Sequence, residues 1–275
     1  MKRPLGLLWI CISFPAIWGC ATLPSSYTRL DDQITLPLNG VLAVIEQERV
    51  IFVGEGHTST SDHLFQMEVI KHLKGKGKNV AVALEMFPAR MQQALDQWVD
   101  GSLDEDDFVD AYYSFWSVDY DSYGMIFNYA RQEGIPLFGI NADRNLIATV
   151  ARRGLGGVDK EFLEKIRYTH CFEDPEYSAF LKGSEELRGH DSELPNLCSA
   201  QRLRDAIMAY DIARIFNARD GSVVVLLGAA HAAKVAVPRM LEKNFSIHSL
   251  VLLPGNFGGV TEKGPDSGIA DYLWY

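Results

Sequence analysis

Five short apolar runs, separated by helical patterns, constrain the fold of this chain more than any other feature. The runs are rich in β-branched residues and show no polar alternation, so both faces of each predicted strand must be buried. They comprise residues 50–53, 80–84, 136–140, 222–227 and 250–253. Such strands alternating with helices predict an α/β fold with a mainly parallel central sheet flanked by helices. We expect the aromatic residues 272–275 to add an edge strand.

The segments between these runs carry the spacing of amphipathic helices. Apolar residues at helical intervals predict helices over residues 39–48, 62–73, 88–113, 123–132, 143–150, 198–218 and 237–243. Between residues 154 and 198 the pattern changes to glycines followed by short, glutamate-rich helical pieces. We therefore expect one α/β domain over residues 38–275, with a smaller helical subdomain, or lid, inserted at about residues 154–198.

The first residues predict export to the bacterial cell envelope. Lys2 and Arg3 precede an apolar run that is short for a membrane-spanning helix, and residues 17–20 read as a lipoprotein cleavage box. We expect residues 1–19 to be a signal peptide, Cys20 to carry acyl chains such as palmitate, and residues 20–37 to tether the domain to the membrane. A plain signal peptide or an uncleaved anchor is the alternative. Ala21, which is not aspartate, favours the outer membrane, on its periplasmic or its outer face.

The charge balance argues against a nucleic-acid partner. The chain has a formal net charge of −10, and removal of the predicted signal peptide would bring this to about −12. No basic stripe is present that could neutralise a phosphate backbone.

Polar side chains follow each of the first four predicted strands. Glu55 and His57 come after the first, Glu85 after the second, Asn141 after the third and His231 after the fourth. Ligands of open parallel sheets bind beyond the carboxyl ends of the strands, so we expect these residues to line one crevice. Each has a simpler interpretation by itself, such as a helix cap or a hydrogen-bonded loop histidine.

Two kinds of chemistry are open to this strand-end cluster. His57, His231, Glu55 and Glu85 are ligands that suit a divalent metal ion, which would activate a bound water. Without a metal, a glutamate with His57 could perform general acid–base catalysis. His63, Gln66 and Asp205 are possible supporting residues, the last as a partner for His231; solvent-exposed positions are the alternative for each. The chain has no G-x-S-x-G and no phosphate-binding glycine motif after a strand.

The segment 108–129 is unusually aromatic, with nine rings in 22 positions. These rings could form walls for a large flat ligand, or they could simply pack between helices. Two cysteines, Cys171 and Cys198, lie near the ends of the predicted lid. In an oxidising compartment they are expected to form a disulfide that pins the lid, and two free thiols are the alternative.

Several short motifs taken together resemble the ChaN-like haem-binding uptake proteins, which are related to the Tiki and TraB proteins. The motifs are Val53-Gly54-Glu55-Gly56-His57, His63-Leu64-Phe65-Gln66, Ala83-Leu84-Glu85-Met86-Phe87, Asn141-Ala142, Met208-Ala209 and Leu227-Gly228-Ala229-Ala230-His231. The resemblance spans about residues 45–245 and depends on the order of the motifs on successive strands. The predicted lipoprotein signal is also typical of this family.

The resemblance implies a haem-binding protein of iron uptake, with two haems held face to face in a homodimer and a tyrosine as the iron ligand. Tyrosine is a reasonable ligand of ferric haem. The candidates are Tyr177 and Tyr168, because both lie in the predicted lid. The positive groups expected near the haem propionates are Arg152, Arg153 and Lys160, at the edge of the lid. The Tiki branch implies instead a metal-dependent peptidase that uses the two Gly-x-x-His histidines and a glutamate. The sequence therefore leaves open whether the protein is an enzyme.

Overall fold

The computed structural model describes residues 22–183, 194–257 and 268–275. Within these residues, eight strands form one sheet in the order β2-β1-β8-β7-β3-β6-β4-β5. The strands are β1 (Tyr27–Arg29), β2 (Thr35–Leu36), β3 (Val50–Glu55), β4 (Val80–Pro88), β5 (Leu137–Asn141), β6 (Ser222–Gly228), β7 (Leu250–Pro254) and β8 (Tyr272–Trp274). The six strands from β8 to β5 are parallel, and β1 is antiparallel to both of its neighbours. The predicted α/β fold with a mainly parallel sheet is confirmed.

Helices cover both faces of this sheet. They are α1 (Leu38–Ile45), α2 (Thr60–Gly75), α3 (Gln92–Asp100), α4 (Glu105–Phe115), α5 (Asp121–Glu133), α6 (Arg144–Arg153), α7 (Lys160–Lys165), α8 (Pro175–Gly183), α9 (Leu194–Ala218), α10 (Ala229–Ala232) and α11 (Val237–Phe245). Helices α1–α5 enclose one core with Ile51 and Val53 of β3, and α6, α9 and α11 enclose the other with Val50 and Phe52. Alternate residues of one strand thus face opposite cores, which explains the unbroken apolar runs of the sequence.

Two segments differ from the sequence-based expectation. Residues 20–37 were predicted to be a tether, but β1 and β2 lie in that range and pair at the edge of the sheet. The buried ring of Tyr27 packs against Phe65 at 4.9 Å between centroids, so apolar burial holds this segment on the domain. The single helix predicted over residues 88–113 is wrong. Strand β4 continues to Pro88, Gly101 ends α3 in a left-handed conformation with φ 84°, and Asp104 caps α4.

The region predicted as a helical lid contains α7, α8 and the first turn of α9. Cys171 precedes α8 and forms a disulfide with Cys198 of α9, with 5.9 Å between their Cα atoms. Tyr177 and Leu181 of α8 pack with both cysteines in a small apolar cluster of their own. This cluster fixes the described part of the lid on α9. Among the described residues, no helix is both long enough and apolar enough to cross a membrane.

Candidate functional site

The strand-end residues lie on neighbouring strands at the carboxyl edge of the sheet. Glu55 of β3 is in register with Gly228 of β6, and the Gly228 amide donates to Oε2 of Glu85 on β4 at 2.7 Å. Asn141 of β5 donates from Nδ2 to the main-chain oxygen of Glu85 at 2.8 Å. The pairing of β4 with β5 shifts register at this point, so the Asn141 side chain takes the place of a ladder hydrogen bond.

Glu55 is the centre of a buried hydrogen-bond network. Its Oε1 accepts from His57 Nδ1 at 2.9 Å and from the hydroxyl of Tyr123, and its Oε2 accepts from Gln66 Nε2 at 2.7 Å. His63 Nε2 lies 3.4 Å from the same Oε2. Burial by itself would raise the pKa of Glu55, but the hydrogen bond from His57 and the nearby charge of His63 lower it to about 2. Glu55 is therefore a carboxylate that fixes the orientation of His57.

The position of His57 follows from the turn that ends β3. The Gly56 amide donates to Asp62 Oδ2 at 2.9 Å, which ties this turn to the start of α2. The edge of the His57 ring meets Trp116 with 5.0 Å between centroids. Its side chain is 40% exposed, whereas that of its partner Glu55 is buried. His57 is thus an oriented, partly exposed imidazole at the carboxyl edge of the sheet.

A second histidine–carboxylate pair lies beside the first. His231 follows β6, and its Nδ1 is 2.5 Å from Oδ1 of Asp205 on α9. The other oxygen of Asp205 accepts from the Tyr177 hydroxyl at 2.6 Å. His231 Nε2 lies 3.9 Å from Glu85 Oε1. Burial lowers the pKa of His231, but the charges of Asp205 and Glu85 outweigh it, and the net change is upward.

Gly228 allows the two pairs to approach each other. A Cβ atom built on it would lie 2.7 Å from Cε1 and 3.0 Å from Nε2 of His57, and 3.6 Å from Oε2 of Glu85. The first distance is shorter than real Cβ contacts and the second is tighter than most of them, so a side chain at this position would displace the His57 ring. The glycine of the second Gly-x-x-His motif therefore leaves room for the histidine of the first.

The two tyrosines predicted as iron ligands have buried hydroxyl groups. Tyr177 is 1% exposed, and its hydroxyl is held by Asp205. Burial and the Asp205 charge raise the pKa of Tyr177 far above its usual value. The Tyr168 side chain is half-buried, its hydroxyl oxygen is buried, and burial raises its pKa as well. In this conformation both hydroxyl groups are buried.

Sequence reasoning gave no role to Tyr123 or Arg202. The Arg202 guanidinium is buried, stacks 4.5 Å above the centre of the Tyr177 ring and donates to Thr169 Oγ1 at 2.8 Å. Tyr123 donates to Glu55, which lies 68 positions earlier in the chain. A tyrosine in an aromatic stretch and an arginine on a helix carry no local signal of these contacts, because both depend on packing between layers.

Most of the aromatic stretch belongs to the core. The rings of Phe108, Tyr112, Tyr123 and Phe127 are buried, and Phe108 stacks on Trp98 with 4.2 Å between centroids. Packing between helices, one of the two interpretations left open, therefore applies to these rings. Two other rings of this stretch depart from the packing interpretation. Trp116 contacts His57, and Tyr113 is exposed.

The three cations predicted to lie near the haem propionates are exposed. They are Arg152 and Arg153 at the end of α6, and Lys160 after it. Among the residues that the structure describes, no group of three or more His, Cys, Asp or Glu side chains is arranged to hold a metal ion. The predicted lipidation site, Cys20, lies outside the described residues.

Comparison with protein families gives one match over most of the chain. Residues 41–241 match the family model described as haem-binding uptake, Tiki superfamily, ChaN. The matched range contains both Gly-x-x-His motifs and every strand-end residue of the site.

Solved structures and a curated protein share the fold or part of the sequence. A ChaN structure from Campylobacter jejuni, described as showing cofacial haem binding, has a TM-score of 0.70 at 18% identity, covering 91% of this chain and 96% of that one. An erythromycin esterase mutant, EreC H289N, has a TM-score of 0.50 at 15% identity, covering 83% and 76%. The chloroplast protein RETICULATA-RELATED 5 of Arabidopsis thaliana is 24% identical over 82% of this chain. The chain spans only about a third, 34%, of the length of that plant protein.

Proposed function

The chain belongs to the ChaN family of haem-binding uptake proteins in the Tiki superfamily, and on this basis we propose that it binds haem in bacterial iron acquisition. The observation that carries the proposal is the family match over residues 41–241, together with a fold shared with a protein that binds haem cofacially. We further propose that the protein is anchored to the outer membrane through acyl chains on Cys20, and that two copies associate around haem.

The lid offers groups that suit a ferric porphyrin. Phe172 is 53% exposed, His170 beside it is exposed as well, and the half-buried ring of Tyr168 meets His170 edge-on at 5.4 Å between centroids. An exposed aromatic side chain suits a flat apolar ligand. Arg152, Arg153 and Lys160 supply exposed positive charge in the same part of the chain, which the anionic propionates require in a protein of net charge −10.

The choice between Tyr177 and Tyr168 as the iron ligand depends on which hydroxyl group becomes exposed with the smaller conformational change. Tyr177 would have to leave Asp205 and a fully buried position. Tyr168 is half-buried and lies at the surface of the lid, so a smaller movement exposes it. We therefore favour Tyr168 over Tyr177 as the ligand, and binding must be accompanied by movement of the lid segment.

Titration of the mature protein with ferric haem tests the proposal. The expected result is a saturable absorption change of the tyrosine-ligated type, which Tyr168→Phe abolishes and the control Tyr129→Phe on helix α5 retains. Loss in Tyr177→Phe alone would identify Tyr177 as the ligand. A flat titration of the wild-type protein would contradict haem binding. Sedimentation with and without haem would test the association of two copies.

A further inference from the structure

We propose that the carboxyl edge of the sheet, at the end formed by β3, β7 and β8, is the surface of the domain that lies against the membrane. The inference rests on the proposed acylation of Cys20. It goes beyond that proposal, because an anchor alone does not determine which side of a domain faces the lipid. The partner is the headgroup layer of a phospholipid bilayer.

The first argument is the position at which the chain enters the fold. Strand β1 is antiparallel to β8, so the residues before β1 lie at the carboxyl end of β8. The Ser25 amide donates to the main-chain oxygen of Tyr275 at 2.8 Å, and the Tyr275 amide donates to that of Ser26 at 3.1 Å. Because β8, β7 and β3 are parallel, this is the same edge at which Glu55 ends β3.

The second argument is the short length of chain between the anchor and the fold. Residues 22–25 line a pocket together with residues at the start of α2 and at the ends of β7 and β8, so they lie against the domain. Only Ala21 separates Thr22 from Cys20. The Cα atoms of Cys20 and Thr22 are therefore at most about 7 Å apart, even in an extended chain.

The opposite edge of the sheet is too far from this anchor to face the lipid instead. Strand β3 has six residues, which span about 20 Å between the two edges. A link of two residues cannot pass around a domain of this size. The anchor therefore holds the carboxyl edge close to the bilayer.

The third argument is that the surface around the entry point has no strongly ionic side chains. Its described segments contain no aspartate, glutamate, lysine or arginine, although the chain has a formal net charge of −10. These segments are residues 22–25, 56–61, 254–257 and 275. The opposite edge, where the strands begin, carries Arg49, Lys78 and Asp220, all of them exposed.

The side chains on this surface suit phospholipid headgroups. Thr58 and Thr60 are exposed, and their hydroxyl groups can donate to phosphate and carbonyl oxygens of lipids. Tyr275 is 56% exposed, and tyrosine is enriched at membrane–water interfaces because it combines an apolar ring with a polar tip. A negatively charged protein also meets less repulsion from anionic lipids on the side that carries no acidic groups.

Asp62 connects the entry point to the strand-end residues. Its buried carboxylate accepts from Trp274 Nε1 at 3.0 Å and from the Gly56 amide at 2.9 Å. It thus joins the start of α2 to β8 and to the turn after β3. The orientation that the anchor imposes on β8 therefore extends to the end of β3, and Glu55 and His57 lie on the lipid side of the protein.

The test compares two single-cysteine labels in the acylated protein on vesicles. Thr58→Cys lies on the proposed membrane surface, and Lys78→Cys, at an equally exposed position before β4, is the matched control on the opposite edge. Labelling with nitrobenzoxadiazole is done without reductant, because the Cys171–Cys198 disulfide then leaves only the introduced thiol to react. The vesicles contain phosphatidylethanolamine, phosphatidylglycerol and a lipid with a nitroxide on its headgroup.

We expect the nitroxide to quench the Thr58 label roughly twofold or more strongly than the Lys78 label, because the two edges are about 20 Å apart. A flexible Gly-Ser spacer of about 12 residues between Ala21 and Thr22 should remove the difference, since the domain can then rotate. A difference that persists with the spacer would support the orientation and assign it to the surface itself.

Equal quenching of the two labels in acylated protein, or stronger quenching of the Lys78 label, would overturn the orientation. So would a Thr58 label that iodide cannot reach in acyl-free Cys20→Ala protein, because a second copy would then cover this edge. Mass analysis that finds no acyl chain on Cys20 would instead refute the anchor on which the inference rests. Haem titration of the labelled proteins reports the proposed uptake function separately.

Discussion

Asp205 lies on helix α9, yet its Oδ1 is 2.5 Å from Nδ1 of His231, which follows strand β6. The carboxylate is buried and accepts a second hydrogen bond from Tyr177. It thus joins a helix of the outer layer, the end of a central strand and the lid.

Removal of this carboxylate should destabilise the fold. In Asp205→Ala, the Tyr177 hydroxyl and the His231 imidazole lose their common buried partner, so the free energy of unfolding should fall by about 3 kcal/mol. Urea denaturation measures the change, with the exposed Asp31→Ala as the control, for which we expect a difference near zero. An unchanged midpoint for Asp205→Ala would show that the network contributes little to stability.

Gly228→Ala should displace His57. The added methyl group would meet Cε1 of the ring at 2.7 Å, and we expect a loss of about 1–3 kcal/mol together with a changed imidazole environment. The matched control is Gly156→Ala, since a Cβ there meets no atom within 4 Å. Thermal unfolding and the imidazole proton resonances measure both effects. Identical spectra for Gly228→Ala and the wild type would contradict the close approach.

Glu55 should make stability sensitive to acid. Its folded pKa of about 2 lies below the ordinary value of 4.5, so the unfolded state binds a proton first as the pH falls. The stability that Glu55 contributes is complete above about pH 4.5 and is lost as the pH approaches 2. The difference in unfolding free energy between the wild type and Glu55→Gln should therefore shrink over this range. A constant difference would mean that the pKa of Glu55 is not lowered by folding.

The Cys171–Cys198 disulfide should protect the mature protein from alkylation until it is reduced. Reduction should lower stability by about 3 kcal/mol, because it frees a loop with a sequence separation of 27 residues in the unfolded state. Mass spectrometry of protein alkylated before and after reduction measures the thiols. The double variant Cys171→Ser/Cys198→Ser should be insensitive to reductant, and two labelled thiols in unreduced wild type would contradict the bond.

Cys20→Ala should abolish lipid attachment. We expect this variant to accumulate unprocessed or to be released from the membrane, because acyl chains supply the anchoring free energy. Fractionation of the cell envelope with mass analysis of the N-terminus distinguishes these outcomes. Processed Cys20→Ala protein that still fractionates with the outer membrane would contradict the lipoprotein hypothesis.

The sequence by itself determined the central sheet and the edge at which polar side chains gather. The apolar runs that became β3, β4, β5, β6 and β7 must be buried on both faces, and parallel strands bring their carboxyl ends together. Glu55, Glu85, Asn141 and His231 could therefore be placed in one crevice from their positions after these strands. Helix caps and glycines located most helices for similarly local reasons.

Only the tertiary structure decided how these side chains pair. Whether Asp205 faced His231 or solvent depended on the rotation of α9 against the sheet, and periodicity left both possibilities open. The contact of Tyr123 with Glu55 and the burial of Tyr177 arise where separate layers meet, and no local pattern encodes the distance between them. Strands β1 and β2 are too short to give a pattern, and they are strands because β1 pairs with β8 and β2 pairs with β1. Apolar burial fixes an architecture through many interchangeable contacts, whereas a buried hydrogen bond depends on two particular atoms meeting at about 3 Å.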